Sequence, residues 1–335
     1  MIFNFSHFSH SVRVISAALI VLVLLGTAGI LSGCGQAETA EDSAIYFDTT
    51  IDIKINGKNA EALLAKCFSL CQEIEDTFSP TKENSELYKI NHRTSQTVTV
   101  SDDMASCLAS ALSWCRITDG AFDISIYPVS SLWDFHSENP SLPDSEKLEK
   151  ALKSVDYTKI HLSGNQLTFD SPDTMIDLGA VTKGFASAKI KEFLKQNGNV
   201  SALLNLGGNV STLGVKTDGS EWKIGIQKPF AGRGELLTTI SSSNGCVISS
   251  GIYERYFELD GTLYHHILSS ATGYPVDSEL NQATVIGTDD TQCDILSTVC
   301  VLLGKEKSEE LIKSCGLKVK ILYADRENTL SWYSP

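Results

Sequence analysis

The stretch Ile176-Asp-Leu-Gly-Ala-Val-Thr-Lys-Gly-Phe-Ala-Ser-Ala-Lys-Ile190 passes from an apolar segment to a helical pattern within a few residues. It predicts a strand that ends at Ile176, a glycine-containing turn, and a helix that begins near Lys183. Such a turn offers backbone N–H groups and the positive end of a helix dipole to a phosphate. Lys183 would add a positive charge, and Asp177 would accept from a ring or ribose donor. A purely structural turn remains the alternative, because the P-loop and dinucleotide spacings are absent.

The segments around this stretch mix helical and strand periodicities without regular alternation. We therefore predict an α+β fold of mixed, largely antiparallel sheets with flanking helices. Strands are expected at 45–55, as a hairpin at 159–170, and repeatedly between 202 and 268. Helices are expected at Ala60–Phe78, from about Asp102 to Ile117, near 145–155, over 290–303 and over 305–314.

The composition limits the classes of molecule that the protein can bind. The chain has 335 residues and a formal net charge of −14. Nucleic acid is excluded as a partner because phosphate backbones require a basic face. A site for an anionic nucleotide remains possible if a bound cation supplies the local positive charge.

The N-terminus has the pattern of an export signal. Arg13 precedes an apolar run over 14–30, followed by Leu31-Ser-Gly-Cys34, which resembles a lipobox. We predict a lipoprotein signal peptide at 1–33, lipidation of Cys34, a polar tether at 34–44, and one domain at 45–335. The protein would be an extracytoplasmic, membrane-anchored lipoprotein of a bacterium. An uncleaved transmembrane anchor is the alternative, and it leaves the body on the same side.

Eight further cysteines follow Cys34. An exported chain could pair some of them as disulfides. Cys67 and Cys71, however, lie four residues apart within a helical apolar pattern, which favours buried free thiols. No spacing typical of a zinc site occurs.

Three other segments carry residues suited to chemistry. The first, Leu204-Asn-Leu-Gly-Gly-Asn-Val210, predicts a strand entering a glycine pair that allows close approach of a ligand or a tight turn. The second runs from Ser249 through Arg255 to the histidine pair His265-His266. Strand alternation places these histidines on opposite faces, so that only one would face a given site. A neutral imidazole there could accept a proton from an attacking hydroxyl.

The third segment, Asp294-Ile-Leu-Ser-Thr298, lies near the start of a helix. Asp294 and Thr298 are four residues apart and project from one helix face. With a backbone carbonyl and waters, a carboxylate and a hydroxyl suit Mg²⁺. Helix capping by Asp294 and back-bonding by Thr298 are the structural alternative.

Together these motifs resemble those of the FAD:protein FMN transferases (the ApbE family). The resemblance runs from about Phe47 to Tyr323. It rests on Thr118-Asp-Gly-Ala-Phe-Asp123, Asp177-Leu-Gly-Ala-Val-Thr-Lys-Gly184, Leu206-Gly-Gly-Asn209, Ser250-Gly-Ile-Tyr-Glu-Arg255, His266-Ile-Leu268, Thr272-Gly-Tyr-Pro275 and Asp294…Thr298, which follow one another in the family's order.

The resemblance implies a T-fold-like architecture and assigns roles to particular residues. FAD would be the substrate, contacted by Ala121, Phe122, Asp123, Asp177 and Lys183. Mg²⁺ would be bound by the Ala180 carbonyl, Asp294 and Thr298, and His266 would lie beside the reacting centre as the catalytic base. The chain departs from the family pattern in three places: Thr182 before the lysine, Ser269-Ser-Ala271 after the histidine motif, and Asp48-Thr-Thr50 near the N-terminus.

The implied activity is transfer of FMN from FAD to a threonine or serine of an acceptor protein, with release of AMP. This chain lacks the acceptor pattern, so the acceptor would be another protein: an Rnf-type or sodium-translocating quinone reductase subunit, or an extracellular flavoprotein. Two alternatives are a Mg²⁺-dependent FAD pyrophosphatase and a non-enzymatic flavin-binding lipoprotein.

Overall fold

The structure is a computed structural model that describes residues 38–135, 137–198 and 200–335. The predicted signal peptide, Cys34 and the first residues of the predicted tether lie outside these ranges. The helices in the described ranges are α1 (Ala60–Phe78), α2 (Glu86–Asn91), α3 (Asp102–Ile117), α4 (Tyr127–Ser130), α5 (Ser145–Leu152), α6 (Thr182–Asn197), α7 (Asp290–Leu303) and α8 (Lys305–Cys315). No helix in this part of the chain is long and apolar enough to cross a membrane.

The strands of these ranges follow in chain order. They are β1 (Thr39–Tyr46), β2 (Thr49–Asn56), β3 (Thr97–Thr99), β4 (Ile160–Ser163), β5 (Gln166–Phe169), β6 (Ser201–Leu206), β7 (Asn209–Leu213), β8 (Trp222–Gln227), β9 (Leu236–Ser242), β10 (Cys246–Gly251), β11 (Tyr256–Leu259), β12 (Thr262–His265), β13 (Leu280–Gly287), β14 (Lys320–Asp325) and β15 (Leu330–Tyr333).

Eight strands form one sheet in the order β1-β2-β6-β7-β10-β13-β14-β15, and all neighbours pair antiparallel. The smaller sheets β3-β5-β4, β8-β9 and β11-β12 are also antiparallel. The predicted α+β class with largely antiparallel sheets and flanking helices is therefore confirmed.

One face of the large sheet packs against helices. Ile51, Ile53 and Ile55 alternate along β2 and are fully buried, as the period of two in a strand predicts. They join the main core, to which α1, α6 and α7 contribute. The β8-β9 hairpin covers part of the opposite face through Ile224 and Ile226. The sheet thus holds α6 and α7 side by side, and their N-termini position the site.

Two sequence interpretations at the N-terminal edge were wrong. Residues 45–55 do not form one strand, because Phe47 and Asp48 adopt positive φ angles of 54° and 57° and turn the chain into a two-residue hairpin. The polar tether ends before residue 44, since Thr39–Tyr46 is an edge strand paired with β2. Ala40 is its one buried residue, and cross-strand bonds such as Ser43 Oγ to Asp52 Oδ1 (2.6 Å) replace the apolar periodicity that marks a strand.

The predicted strand ending at Ile176 was also wrong. The segment makes a single parallel bridge, Ile126 to Met175, within the described residues. The backbone of Ile176 is satisfied by a side chain instead: its N–H donates to Asn91 Oδ1 (2.7 Å), and its carbonyl accepts from Asn91 Nδ2 (2.8 Å). The helix after the turn begins at Thr182, close to the predicted position.

All eight cysteines from Cys67 onward are free thiols, and all but Cys315 are buried. Burial raises the pKa of both Cys67 and Cys71 to about 12, so these thiols stay protonated and unreactive.

Candidate functional site

The predicted flavin and metal residues line one cavity of about 670 Å³. It opens where the turn before α6, the first turns of α7, the end of β10 and the segment after β12 meet. The residues brought together are Ala121, Phe122, Asp123, Asp177, Ala180, Lys183, His266, Asp294 and Thr298. Segments far apart in the chain therefore converge on one concave surface, while Cys34 lies outside the described residues.

The centre of the site is the contact between the N-terminus of α6 and Asp294 on α7. Val181, the residue before α6, makes no side-chain cap. Instead the Gly184 N–H donates to Asp294 Oδ2 at 2.7 Å. Gly184 permits this approach because a Cβ there would lie 2.4 Å from the Asp290 carbonyl oxygen and 2.6 Å from Asp294 Cβ. The glycine is thus required by packing between two helices.

Asp294 is almost fully buried, with 2% of its surface exposed. Burial raises its pKa, and the neighbouring Asp290 carboxylate adds to that shift. Lys183, the Gly184 N–H and the Asn209 side chain oppose the shift by stabilising the charged form. The buried carboxylate suits a cation, and the lysine and the helix N-terminus beside it suit an anionic ligand.

The oxygen atoms near Asp294 fit a hard divalent cation. Thr298 Oγ1 lies 3.0 Å from Ser250 Oγ, and Ala180 borders the cavity on the turn before α6. The set available is a carboxylate, a hydroxyl and a backbone carbonyl, which are ligand types that Mg²⁺ prefers. No group of three or more His, Cys, Asp or Glu side chains suited to a metal occurs among the described residues. Mg²⁺ sites commonly use one or two carboxylates with substrate phosphates and waters, so the donors present fit this ion.

His266 and His265 face different surroundings, as predicted, although β12 ends at His265 and His266 lies in the segment that follows it. The His266 ring lines the cavity, and its Nδ1 lies 3.3 Å from the Arg255 carbonyl oxygen. Desolvation, followed by the positive charge of Arg255, lowers the pKa of His266 to about 3. His265 is buried outside the cavity lining, where Nε2 contacts the Val276 carbonyl oxygen at 3.2 Å. The cavity histidine is therefore neutral at ordinary pH and able to accept a proton.

The two aspartates on the flavin side are held differently. Asp177 Oδ2 accepts from Ser130 Oγ at 2.8 Å, and its Oδ1 accepts from the Gly179 N–H at 2.8 Å. These bonds fix a half-buried carboxylate at the cavity wall.

Asp123 uses its carboxylate to organise the chain. Its Oδ1 accepts from the Ser125 N–H (2.7 Å) and Ser125 Oγ (2.6 Å), and its Oδ2 accepts from the Tyr157 N–H (3.1 Å). Burial raises the pKa of Asp123, and these three donors oppose the shift. The carboxylate therefore stabilises the loop that carries Ala121 and Phe122 into the cavity.

Part of the remaining wall is aromatic, with Phe47, Tyr127, Trp133 and Phe135 among its residues. A planar ring system can stack against such a surface. The cavity thus has aromatic side chains at one end and, at the other, a lysine, a helix N-terminus and oxygen atoms of ligand types that Mg²⁺ prefers.

Sequence reasoning did not assign several lining residues, among them Asn209, Ser250, Glu254 and Arg255. Each lies within a motif that was recognised, the Gly-Gly-Asn turn or the Ser-Gly-Ile-Tyr-Glu-Arg segment. The motif was the available signal, whereas the direction of each side chain depended on β6-β7 and β10 lying next to α7.

Comparison with known proteins identifies the protein family to which the chain is similar. The chain matches the ApbE family over residues 47–321. An FAD:protein FMN transferase of Klebsiella pneumoniae is 35% identical over 268 residues, covering 79% of this chain and 83% of that protein. An FAD:protein FMN transferase of Salmonella typhimurium is 31% identical over 334 residues, covering 93% and 95%. The crystal structure of the ApbE protein from Thermotoga maritima superposes with a TM-score of 0.80 at 27% identity, covering 88% of this chain and 96% of that chain.

The chain belongs to the ApbE family. Its likeness to the two transferases extends over most of each sequence, and its likeness to the Thermotoga maritima protein extends over most of the fold.

Proposed function

We propose that this protein is an FAD:protein FMN transferase, which attaches FMN from FAD to a threonine or serine of an acceptor flavoprotein. The observation that carries the proposal is the convergence of Lys183, His266 and Asp294 on one cavity whose wall is rich in aromatic residues. The cavity is large enough for a nucleotide, and its polar end combines a proton acceptor with groups suited to a pyrophosphate.

The chemistry assigned to the site is a single phosphoryl transfer. The acceptor hydroxyl oxygen attacks the FMN-side phosphorus of FAD, a new P–O bond forms, and the P–O bond to the AMP oxygen breaks. His266 accepts the hydroxyl proton, which then passes to solvent, and AMP leaves with the bonding electron pair. The lowered pKa of His266 keeps the ring neutral, and because Nδ1 donates to the Arg255 carbonyl oxygen, Nε2 is the nitrogen available for this step.

Other residues bind and orient the substrate. Lys183 and the N-terminus of α6 would hold the pyrophosphate, and the aromatic wall would position the ring system. Asp294, Thr298 and the Ala180 carbonyl would hold Mg²⁺, which when bound neutralises charge on the phosphates. Asp177 would accept a hydrogen bond from the flavin or ribose.

We further propose the cellular setting. The lipobox-like Leu31-Ser-Gly-Cys34 would make the protein an extracytoplasmic lipoprotein anchored to a bacterial membrane. Its acceptor would then be exposed on the same side of the membrane. Subunits of Rnf-type or sodium-translocating quinone reductase complexes, or an extracellular flavoprotein, meet this requirement.

The test incubates the full chain, purified in detergent, with FAD and Mg²⁺, with and without an acceptor. The acceptor is a protein that carries an acidic residue three positions before Ser/Thr-Gly-Ala-Ser/Thr, and its matched control has the final Ser/Thr replaced by alanine. Mass spectrometry follows both the acceptor and the nucleotide. We expect acceptor heavier by one FMN moiety and release of AMP with the intact acceptor alone.

Two results contradict the proposal. Equal amounts of FMN and AMP with either acceptor or with none would assign a pyrophosphatase, in which water replaces the hydroxyl. FAD that stays intact in every reaction, with a folded acceptor present, would leave a flavin-binding protein.

A further inference from the structure

Behind the cavity, α6 and α7 are joined by a buried ion pair that none of the motifs above includes. Lys191 Nζ lies 2.7 Å from Asp290 Oδ2, and the two side chains are 6% and 3% exposed. The other carboxylate oxygen, Asp290 Oδ1, accepts from the buried Ser211 hydroxyl on β7. Both oxygens of Asp290 thus have protein partners, and neither charged residue of the pair lines the cavity.

The ion pair belongs to the same helix contact that holds Asp294. Asp290 and Asp294 are four residues apart on α7 and therefore lie on one helix face, one turn from each other. On α6, Gly184 lies against both aspartates. A Cβ at this position would meet the Asp290 carbonyl oxygen and Asp294 Cβ, so only glycine fits here. Lys191 lies two turns further along α6.

The charges of Lys191 and Asp290 are expected to affect how tightly Asp294 binds a cation. An isolated ammonium group in a dry interior, close to a cation site, would oppose binding of a divalent ion. Asp290 cancels the charge of Lys191 at a distance of 2.7 Å.

We propose that Asp290 is a positioning residue for the divalent cation of the site: it lies one helical turn from Asp294 on α7, and by neutralising Lys191 it maintains the affinity of Asp294 for that ion. The inference rests on the proposed function because it takes Asp294 as a ligand of Mg²⁺. It assigns no contact between Asp290 and the cation or FAD.

Two single substitutions separate this role from a merely structural one. Asp290→Asn and Lys191→Met remove the same link between α6 and α7, so any loosening of the helices is common to both. Their electrostatic effects differ in sign. Asp290→Asn leaves a positive charge near the cation site, whereas Lys191→Met leaves a carboxylate that either stays ionised and attracts the cation or becomes neutral.

The measurement is the dissociation constant of Mn²⁺, an oxygen-preferring ion visible by electron paramagnetic resonance, on the full chain in detergent. We expect Asp290→Asn to raise this constant about tenfold over wild type, and Lys191→Met to leave it unchanged or lower. The double variant Asp290→Asn/Lys191→Met should return to within about threefold of wild type. The Mg²⁺ concentration for half-maximal FMN transfer should follow the same order.

The matched control is Asp103→Asn, which removes the half-exposed ion pair between Asp103 on α3 and Lys189 on α6 (2.7 Å). It should leave the Mn²⁺ dissociation constant unchanged. If both single variants raise the constant equally, or if neither changes it, the charge role of Asp290 is wrong. If Asp290→Asn does not fold, the double variant decides: a constant far above that of wild type overturns the proposal.

The two proposals fail in different ways. Mn²⁺ binding requires neither FAD nor an acceptor, so it reports on Asp290 even if no FMN is transferred. Normal transfer by wild type, combined with equal metal affinity in every variant, would remove the role of Asp290 and leave the transferase intact.

Discussion

At the scale of single residues, His266 carries the sharpest prediction. His266→Ala should lower the rate of FMN transfer by about 10²–10⁴-fold, because the hydroxyl would lose its proton acceptor. The dissociation constant of FAD should change by less than about threefold, since the imidazole is assigned no role in holding the nucleotide. Single-turnover transfer and fluorescence titration of FAD measure the two quantities. Equal losses in both would reassign His266 to binding.

The protonation of His266 predicts an unusual pH dependence. Burial and Arg255 lower its pKa from 6.5 to about 3, so the folded state favours the neutral ring. The base is therefore present at neutral pH and is lost only as pH falls toward about 3. We expect kcat/KM to show no step near pH 6.5 that disappears in His266→Ala. Because the unfolded chain takes up this proton first, stability should fall as pH drops below about 6.5. A histidine-dependent midpoint near 6.5 in the activity profile would contradict the desolvated site.

Asp123 is predicted to act mainly through stability. Asp123→Ala would leave the buried Ser125 and Tyr157 donors without an acceptor, which should lower the free energy of unfolding by about 2–4 kcal/mol. Urea denaturation measures this change. The control Asp170→Ala removes an exposed contact with His161 (2.8 Å) and should change stability by less than about 1 kcal/mol. Similar values for the two variants would show that the Asp123 bonds contribute little.

At the scale of elements, the closeness of α6 and α7 depends on one glycine. Gly184→Ala would place a methyl group 2.4 Å from the Asp290 carbonyl oxygen, so the helices must separate. We expect a loss of about 1–3 kcal/mol in stability and a larger loss of FMN transfer, because the bond from Gly184 to Asp294 is broken. Gly232→Ala is the control, since its Cβ would meet only the end of the Glu235 side chain at 3.1 Å. A Gly184→Ala variant with full activity would show that this close packing is not required.

The helices and strands also show which features of the fold could be predicted from the sequence. The bounds of α1 and α7 were predicted to the residue, because each has apolar positions at helical spacing or polar residues at its start. The hairpin turn at Phe47-Asp48 was missed because two-residue turns of this type normally contain glycine or asparagine. The irregular segment at Ile176 was missed because the side chain of Asn91 from α2, 85 positions earlier in the chain, replaces a neighbouring strand. Periodicity reports neither a tight turn that lacks the usual turn residues nor a side chain far along the chain that takes the place of a strand partner.

At the scale of the whole molecule, one sheet explains why distant motifs meet. The order of β2, β6, β7, β10 and β13 brings the Gly-Gly turn and the end of β10 beside α7, and α6 packs on α7. Resemblance to the family identified residues on several of these segments, and all those in the described ranges line the cavity. The Lys191–Asp290 pair could not be found this way, since it belongs to no motif and depends on which faces of two helices meet. The motifs that carry the proposed site residues could therefore be predicted from the sequence. The buried groups packed behind them could be identified only from the fold.

The proposed lipid anchor would lie outside the part of the chain that forms the site. Every residue assigned to catalysis, flavin or metal lies between Ala121 and Thr298, and the main core begins at Ala40. Cys34→Ser should therefore remove the lipid anchor and leave FMN transfer per folded molecule unchanged. After expression in a bacterial host, wild type should sediment with membranes and carry the mass of a lipid on Cys34. The variant should lose that mass. In the wild-type protein, a mature N-terminus at Cys34 that carries the lipid mass supports a lipid anchor, whereas membrane-bound protein with residues 1–33 intact and no added lipid would establish an uncleaved transmembrane segment.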